Sequence, residues 1–543
     1  MTTSITRLTD EGVFTNITGS LNPGDDRPQG SLIRDPEQSI RLQEECLCEE
    51  RGQSPMFNVV FATITDWFNV GQGTIDTLPD NALLIIFDFY RDDNTSWILD
   101  GLSSSWRWKT LTQVCRRWRH IIFESPRRLD LRVVCSNTTP TRTSLDIWPP
   151  FPITIFCFPF YMVNEKNVEN IIAAVERRDR TSEIYINDIY GSALDKLAAA
   201  MQEPLPTLRH FYLRSTDDSV PIIPDTFLGR SAPRLQLFIL HGIPFPSFPR
   251  FILSSTHIVD LHLVDIPHSG YLSPDVMATC LATLPDLKYF VFGFRSPLSR
   301  PLQRGLPPVT RAVLPALVGL SFRGASEYFE DFLARTHAPL LNRLIIKFFM
   351  DLIFDIPQLH GLIVRGERLR PLSPTWVAFG NDQIRVILGL PTRIVLTILC
   401  EERDWQLSSL AQVCNEQLPL LALVDQLSVC ELYRASLNWK DDMDSSQWFE
   451  LFQPFVAVQN LYVSKQFVPF VTASLRELTG ERTLEVLPAL KNLFLEGFQP
   501  SGSVQEAMRP FVSARQLSGY PVIIHSEPPQ AHPTSFLESD RFD

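Results

Sequence analysis

One short phrase, a proline with three apolar slots, keeps returning along this chain, and its spacing limits the fold more than any other feature. It reads proline, any residue, apolar, any two, apolar, any, apolar. The first copy runs from Pro206 to Leu213; others start at Pro233, Pro285, Pro315, Pro339, Pro357 and Pro488, and a copy from Thr256 to Leu263 lacks only the proline. All three apolar slots are filled in every copy. The first six starts, at 206, 233, 256, 285, 315 and 339, are 27, 23, 29, 30 and 24 residues apart. A period of that size belongs to chains built by stacking one small structural unit on the next.

The last two apolar residues of each phrase sit two apart, so on a short strand they point to one side and the residue between them to the other. Stretches between phrases suit helices, as at Asp275 to Leu284 and at Glu327 to Thr336, where Phe329, Phe332 and Leu333 share a face. Strand and helix in alternation predict an α/β fold: a leucine-rich-repeat-like solenoid of short parallel strands and helices over residues 204–500. Its outward row comprises Tyr212, Ile239, His262, Val291, Ser321, Ile345, Ile363 and Phe494, joined by His210, Asp260, Tyr289 and Arg343 from the preceding outward position. Mixed aromatic, polar and charged content suits protein binding. Tyr212, Ile239, His262, Tyr289, Val291, Ser321, Arg343 and Ile345 are therefore the candidate target contacts; cover by neighbouring loops is the competing expectation for each. No asparagine follows the strands, where Thr216, Ile243, Ile266, Arg295 and Ala325 stand instead, so the solenoid is expected to be irregular. Between Arg370 and Asn438 the phrase is lost, although Ile394, Leu396, Ile398 and Leu427 to Val429 look strand-like. Residues 136–203 read as a linker with the first solenoid elements. Residues 501–543 read as a C-terminal segment whose proline-rich tail starts at Glu527.

The N-terminal part has another character. Residues 1–55 are polar and read as a flexible arm, and apolar spacing over 56–72 predicts a lead-in helix that packs on the neighbouring segment or serves as a docking peptide. Within 73–135 two helical segments are expected. Leu83, Ile86, Phe87 and Tyr90 form one stripe after Leu78-Pro79; Leu111, Val114, Cys115, Trp118 and Ile122 form the other. The order Leu78-Pro79, Ile86-Phe87, Val114-Cys115-Arg116-Arg117-Trp118 resembles the F-box family. The adjoining Ser125-Pro126-Arg127-Arg128-Leu129-Asp130-Leu131 resembles the exit segment of its fungal members with C-terminal leucine-rich-repeat-like domains. The loop between the helical segments is longer than in compact F-boxes. What the resemblance implies is a grip on the Skp adaptor of a cullin-RING ubiquitin ligase through Leu78, Pro79, Ile86, Phe87, Leu111, Val114, Cys115 and Trp118, with the repeats holding an unidentified target protein. The alternative expectation is a repeat-built protein-binding scaffold without a ligase role.

A formal charge of -12 argues against nucleic acid or an anionic membrane as the partner. The basic side of the second segment, with Arg116, Arg117 and Arg119, reads as a solvated face or as a match for an acidic protein. No hydrolase elbow, phosphate-cradling glycine loop or paired metal-binding histidines is present, so the expectation is a non-enzyme without cofactor or metal. Nine scattered cysteines without zinc spacing, and a start lacking the pattern of a secretory signal, suit a reducing intracellular compartment, cytoplasmic or nuclear.

Overall fold

In a computed structural model the chain divides into two compact units, Met1–Ile86 and Phe87–Asp543. The structure describes residues 75–92, 111–125, 131–135, 141–147, 150, 152–157, 165–217, 220–299, 310–349, 355–369, 373–380, 383–389, 394–399, 411, 419–431, 445–497 and 502–526. The expected arm over 1–55, the lead-in helix over 56–72, nearly all of the loop between the two F-box-like segments and the tail from Glu527 lie outside them.

In the first unit a 3-10 turn at Ile75–Thr77 leads through Leu78 and Pro79 into helix α1, Asp80–Asp92, whose later residues belong to the second unit. The Pro79 carbonyl accepts from the amides of Ala82 and Leu83 at 3.0 and 3.1 Å, so the proline closes the first turn without needing an N–H of its own.

The second unit is organised by a mixed, mostly parallel sheet of 16 strands among the described residues. Its first half contains β1 (Leu131–Val134), β2 (Ile153–Cys157), β3 (Thr181–Ile186), β4 (His210–Arg214), β5 (Leu237–His241), β6 (Asp260–Ile266) and β7 (Tyr289–Phe294). A small separate pair, β8 (Ala312–Val313) and β10 (Thr336–His337), flanks β9 (Gly319–Gly324) in the sequence, and β11 (Arg343–Phe348) follows. The second half contains β12 (Thr375–Phe379), β13 (Gln383–Leu388), β14 (Ile394–Leu399), β15 (Gln426–Glu431), β16 (Asn460–Val463), β17 (Asn492–Leu495) and β18 (Ile523–His525).

Every copy of the phrase except that at Pro357 contains a strand, and its last two apolar slots are buried: Phe211 and Leu213, Phe238 and Leu240, Leu261 and Leu263, and so through Leu493 and Leu495. These side chains form one continuous core with the helices that return the chain. Helices over Pro274–Leu281 and Ser326–Arg335 match the expected ones, with Phe329, Phe332 and Leu333 buried together. After β4 and β5 the return is shorter, a 3-10 turn at Phe227–Arg230 and a five-residue helix at Phe248–Ile252, which is the irregularity expected.

The copy at Pro357 is a helix, Pro357–Arg365, and this corrects the expectation of a strand there. Its proline sits in the first turn, and Leu359, Leu362 and Ile363 come at helical steps of three and one, so one phrase satisfied both periods. Ile363 is buried on that helix and leaves the outward row. The buried Glu330 carboxylate, from the preceding helix, accepts from the amides of Gln358 at 2.7 Å and Leu359 at 2.9 Å. An anion over two unpaired helix-start amides satisfies donors and complements the dipole.

Where the phrase disappears the sheet departs from chain order, running β11-β14-β13-β12-β15. β13 is antiparallel to both its neighbours, while β14 is parallel to β11 and β12 parallel to β15. The sheet also starts at β1, ahead of residue 136, and continues to β18 beyond residue 500. Main-chain bonds replace the missing asparagines. The amides of Ser215, Gly242 and Arg295 donate to His241, Val264 and Ile266 at 2.9, 2.8 and 3.0 Å, and the Ser215 hydroxyl donates to the Ile189 carbonyl at 2.8 Å.

Candidate functional site

Parallel registry turns the residues between buried slots into a continuous row across the sheet. Phe156, Tyr185, Tyr212, Ile239, His262, Val291, Ser321 and Ile345 stand opposite one another from β2 to β11. The row continues through Val395, Ile387, Trp376, Ser428, Tyr462 and Phe494 to His525. Aromatic rings neighbour each other at both ends: Tyr185 lies 6.0 Å from Phe156 and 6.4 Å from Tyr212, while Phe494 stacks on Tyr462 at 4.4 Å and on His525 at 4.5 Å. Tyr289 and Arg343 occupy the preceding outward position on either side of Gly319, and the exposed Tyr289 ring lies where a Gly319 side chain would fall.

The seven row members from Tyr185 to Ile345 are only partly exposed, whereas Val395, Ile387 and Trp376 are buried. Those three form a second small core on the outward side, and Ile345 packs against it. Cover therefore prevails around β12 to β14, and Ile345 belongs to its edge. Tyr212, Ile239, His262, Tyr289, Val291, Ser321 and Arg343 share the less covered part.

A third outward rank, one position beyond each phrase, borders a cavity of about 200 Å³. Arg214, His241, Arg323, Lys347 and Arg385 line it together with Asp265. Arg214 and Arg385 are seven strands apart, about 34 Å on a flat sheet at ~4.8 Å per strand, yet they line one cavity. The sheet bends with this face inside. A bulge in β6 after Leu263 places Asp265 in the left-handed region, φ 51°, and its carboxylate meets Arg323 Nη1 at 2.7 Å and His241 Nε2 at 3.4 Å. Burial pushes the His241 imidazole below its usual range; Asp265 opposes that, while Arg214, Arg295 and Arg323 reinforce it. The rank has a sequence signal that strand patterning passes over: the residue after the last apolar slot is Arg214, His241, Arg323 and Lys347 in four copies.

The adaptor candidates fall in both units. In the first, Leu78 is 2% exposed, Pro79 is exposed and Ile86 is partly buried. In the second, Phe87, Leu111 and Trp118 are buried, and the Phe87 and Trp118 rings lie 4.8 Å apart. The expected single stripe from Leu111 to Ile122 is broken: residues 111–114 are helical, Cys115 is extended at φ -153°, and helix α2 restarts over Arg116–Glu124. Cys115 Sγ caps that restart by accepting from the Trp118 amide at 3.4 Å. Val114 is thereby 56% exposed and Trp118 only 8%, so the expected contacts divide between an exposed position and the chain's own interior.

Burial governs the thiols elsewhere. It pushes Cys157 and Cys280 up to about 11, and raises Cys135 further. At pH 8 these three are expected to resist iodoacetamide in the folded protein and to react on unfolding, read by peptide mass spectrometry. Labelling of the folded chain within minutes would contradict their placement. Among the described residues no three His, Cys, Asp or Glu side chains are grouped to hold a metal ion, and no helix is long and apolar enough to cross a membrane.

No protein-family model matches the sequence, and no curated protein is significantly similar to it. Among solved structures, the leucine-rich repeat-containing protein LegL7 from Legionella pneumophila is a weak neighbour, with 11% identity, a TM-score of 0.26, and coverage of 73% of this chain and 99% of that chain.

Proposed function

We propose that this chain is a protein-binding subunit that recruits a target through the outward face of its sheet, acting as the substrate receptor of an SCF-type cullin-RING ubiquitin ligase. The observation that carries the binding half is the registered row from Phe156 to Ser321, where aromatic, aliphatic, imidazole and hydroxyl groups share one partly exposed face. Such a face supplies apolar anchors and polar specificity along an extended contact. The ligase half rests on the ordered sequence pattern from Leu78-Pro79 to Trp118. In this reading no bond is made or broken on the chain. It holds the target near ubiquitin charged on another subunit, raising local concentration and orienting a lysine.

Burial of Leu78, Phe87, Leu111 and Trp118 favours a second reading, a repeat-built scaffold without a ligase role, because those side chains are already withdrawn from solvent. Co-purification with the Skp adaptor separates the two. Val114→Glu is the informative variant, since Val114 is exposed and its replacement leaves the interior alone, unlike a change at Trp118. Recovery is expected to fall by about tenfold or more, the effect of burying an unpaired carboxylate at a contact. Equal recovery of wild type and variant, or none of either, would leave the scaffold reading.

A further inference from the structure

On the helix side of the sheet, behind the outward face, a cavity of about 480 Å³ opens where the phrase at Pro357 has become a helix. Its floor is made of Leu314, Leu317, Leu320, Phe332, Leu333 and Leu341, all buried, from the approaches to β9 and β11, from β9 itself and from the helix Ser326–Arg335. Packed interiors leave few voids larger than a water molecule, and space for about sixteen waters at ~30 Å³ each is far beyond that. The volume falls within the ~300–1,000 Å³ of small-molecule sites.

One wall is the helix Pro357–Arg365, which brings Gln358, Gly361, Leu362 and Arg365 to the space at steps of three, one and three. A glycine inside a helix weakens it relative to alanine. Crowding does not demand one here, because a Cβ on Gly361 would meet nothing within 4 Å outside its own stretch of helix. What the glycine supplies is a bare backbone wall for a ligand to lie against. The mouth is cationic. Arg365 is exposed there and engages no acceptor among the described residues, while Arg311 Nη2 donates to the neutral Gln358 Oε1 at 3.4 Å. Arg368 has a partner of its own, yet Arg365 and Arg311 still outnumber the one lining carboxylate, Glu367. A molecule with an apolar body and one anionic end suits both the floor and the mouth, and a guanidinium fork matches a carboxylate.

We infer that this cavity binds an amphiphilic monocarboxylate with a chain of about ten carbons, its tail on the leucines of the floor and along Gly361, its carboxylate held by Arg365. The inference is independent of target recruitment, which uses the opposite side of the sheet. Its test is titration calorimetry and thermal melting of the full chain with decanoate, octanoate and hexanoate below their micelle-forming concentrations, and with decyltrimethylammonium as the head-group control. Saturable one-to-one binding of decanoate is expected, with a raised melting temperature and an affinity that falls about three- to fourfold for each methylene removed. Arg365→Gln should weaken it by about three- to tenfold, the loss of one charge-assisted hydrogen bond at an exposed mouth. Gly361→Leu should abolish it without lowering the melting temperature of the unliganded chain, because leucine enters open space and favours the helix. Circular dichroism identifies any variant that fails to fold, and the chain-length series on the wild-type protein then decides. No saturable binding, an affinity independent of chain length, wild-type affinity in either folded variant, or decyltrimethylammonium binding as tightly as decanoate would each overturn the assignment.

Discussion

Trp448→Ala is expected to destabilise the second unit by about 3–5 kcal/mol, seen as a lower midpoint in urea unfolding. Trp448 is among the largest fully buried side chains, on the helix Ser445–Phe452, and its ring lies 5.9 Å from Phe379, 5.8 Å from Phe452 and 6.1 Å from Phe467. These partners come from β12, its own helix and the approach to the next, so the vacated space has aromatic walls that cannot all close on it. The indole N–H is buried without an acceptor, so Trp448→Phe removes an unpaired donor along with some volume and should cost much less than alanine. A loss below about 1.5 kcal/mol for the alanine variant would mean that the surroundings collapse into the gap.

The second large effect is expected at Arg515. This side chain is 0% exposed and donates to the carbonyls of Pro488 and Leu490 at 3.0 Å and of Thr483 and Leu487 at 3.4 Å, while its guanidinium lies over Phe511. Burial lowers its pKa from the ordinary arginine value. One guanidinium on the helix Ser503–Leu517 thus gathers four carbonyls of the segment that feeds β17, of which that of Leu487 also accepts from the Leu490 amide. Arg515→Met keeps the stem but removes the donors to the Thr483, Pro488 and Leu490 carbonyls, and about 3 kcal/mol or more should be lost. Arg515→Lys should fall between, since an ammonium has three donors without the planar fork. Guanidinium chloride unfolding of the three proteins checks the order.

Much of the fold was legible because burial on one side of a short strand imposes a spacing of two, and the spacing recurred. Phe238 with Leu240, and Leu320 with Phe322, obeyed it without help from distant residues. The copy at Pro357 misled because steps of three and one also suit a helix that starts with proline. Strand β12 gave no phrase, since a strand buried on both faces does not alternate; all five of its residues are buried. Strand-level reading located the outward row, but the burial of its members Trp376, Ile387 and Val395 depends on how β12 to β14 are threaded. The basic rank was readable one residue at a time and gained meaning only when Gly293, Arg323 and Lys347 were laid side by side. In the N-terminal region, periodicity implied one uninterrupted stripe, whereas the local bond from the Trp118 amide to Cys115 Sγ breaks it and turns Val114 outward.

The displaced strand order has a mechanical consequence. An array in which each unit touches only its chain neighbours unravels from its ends, one unit after another. Here β11 is bonded to β14, a strand that begins 46 residues after β11 ends, at Ile394. Pulling from either terminus would therefore peel outer strands in sequence until it reached this splice, where several strands must part together. The molecule should yield under load as two frayable arms joined by a clasp.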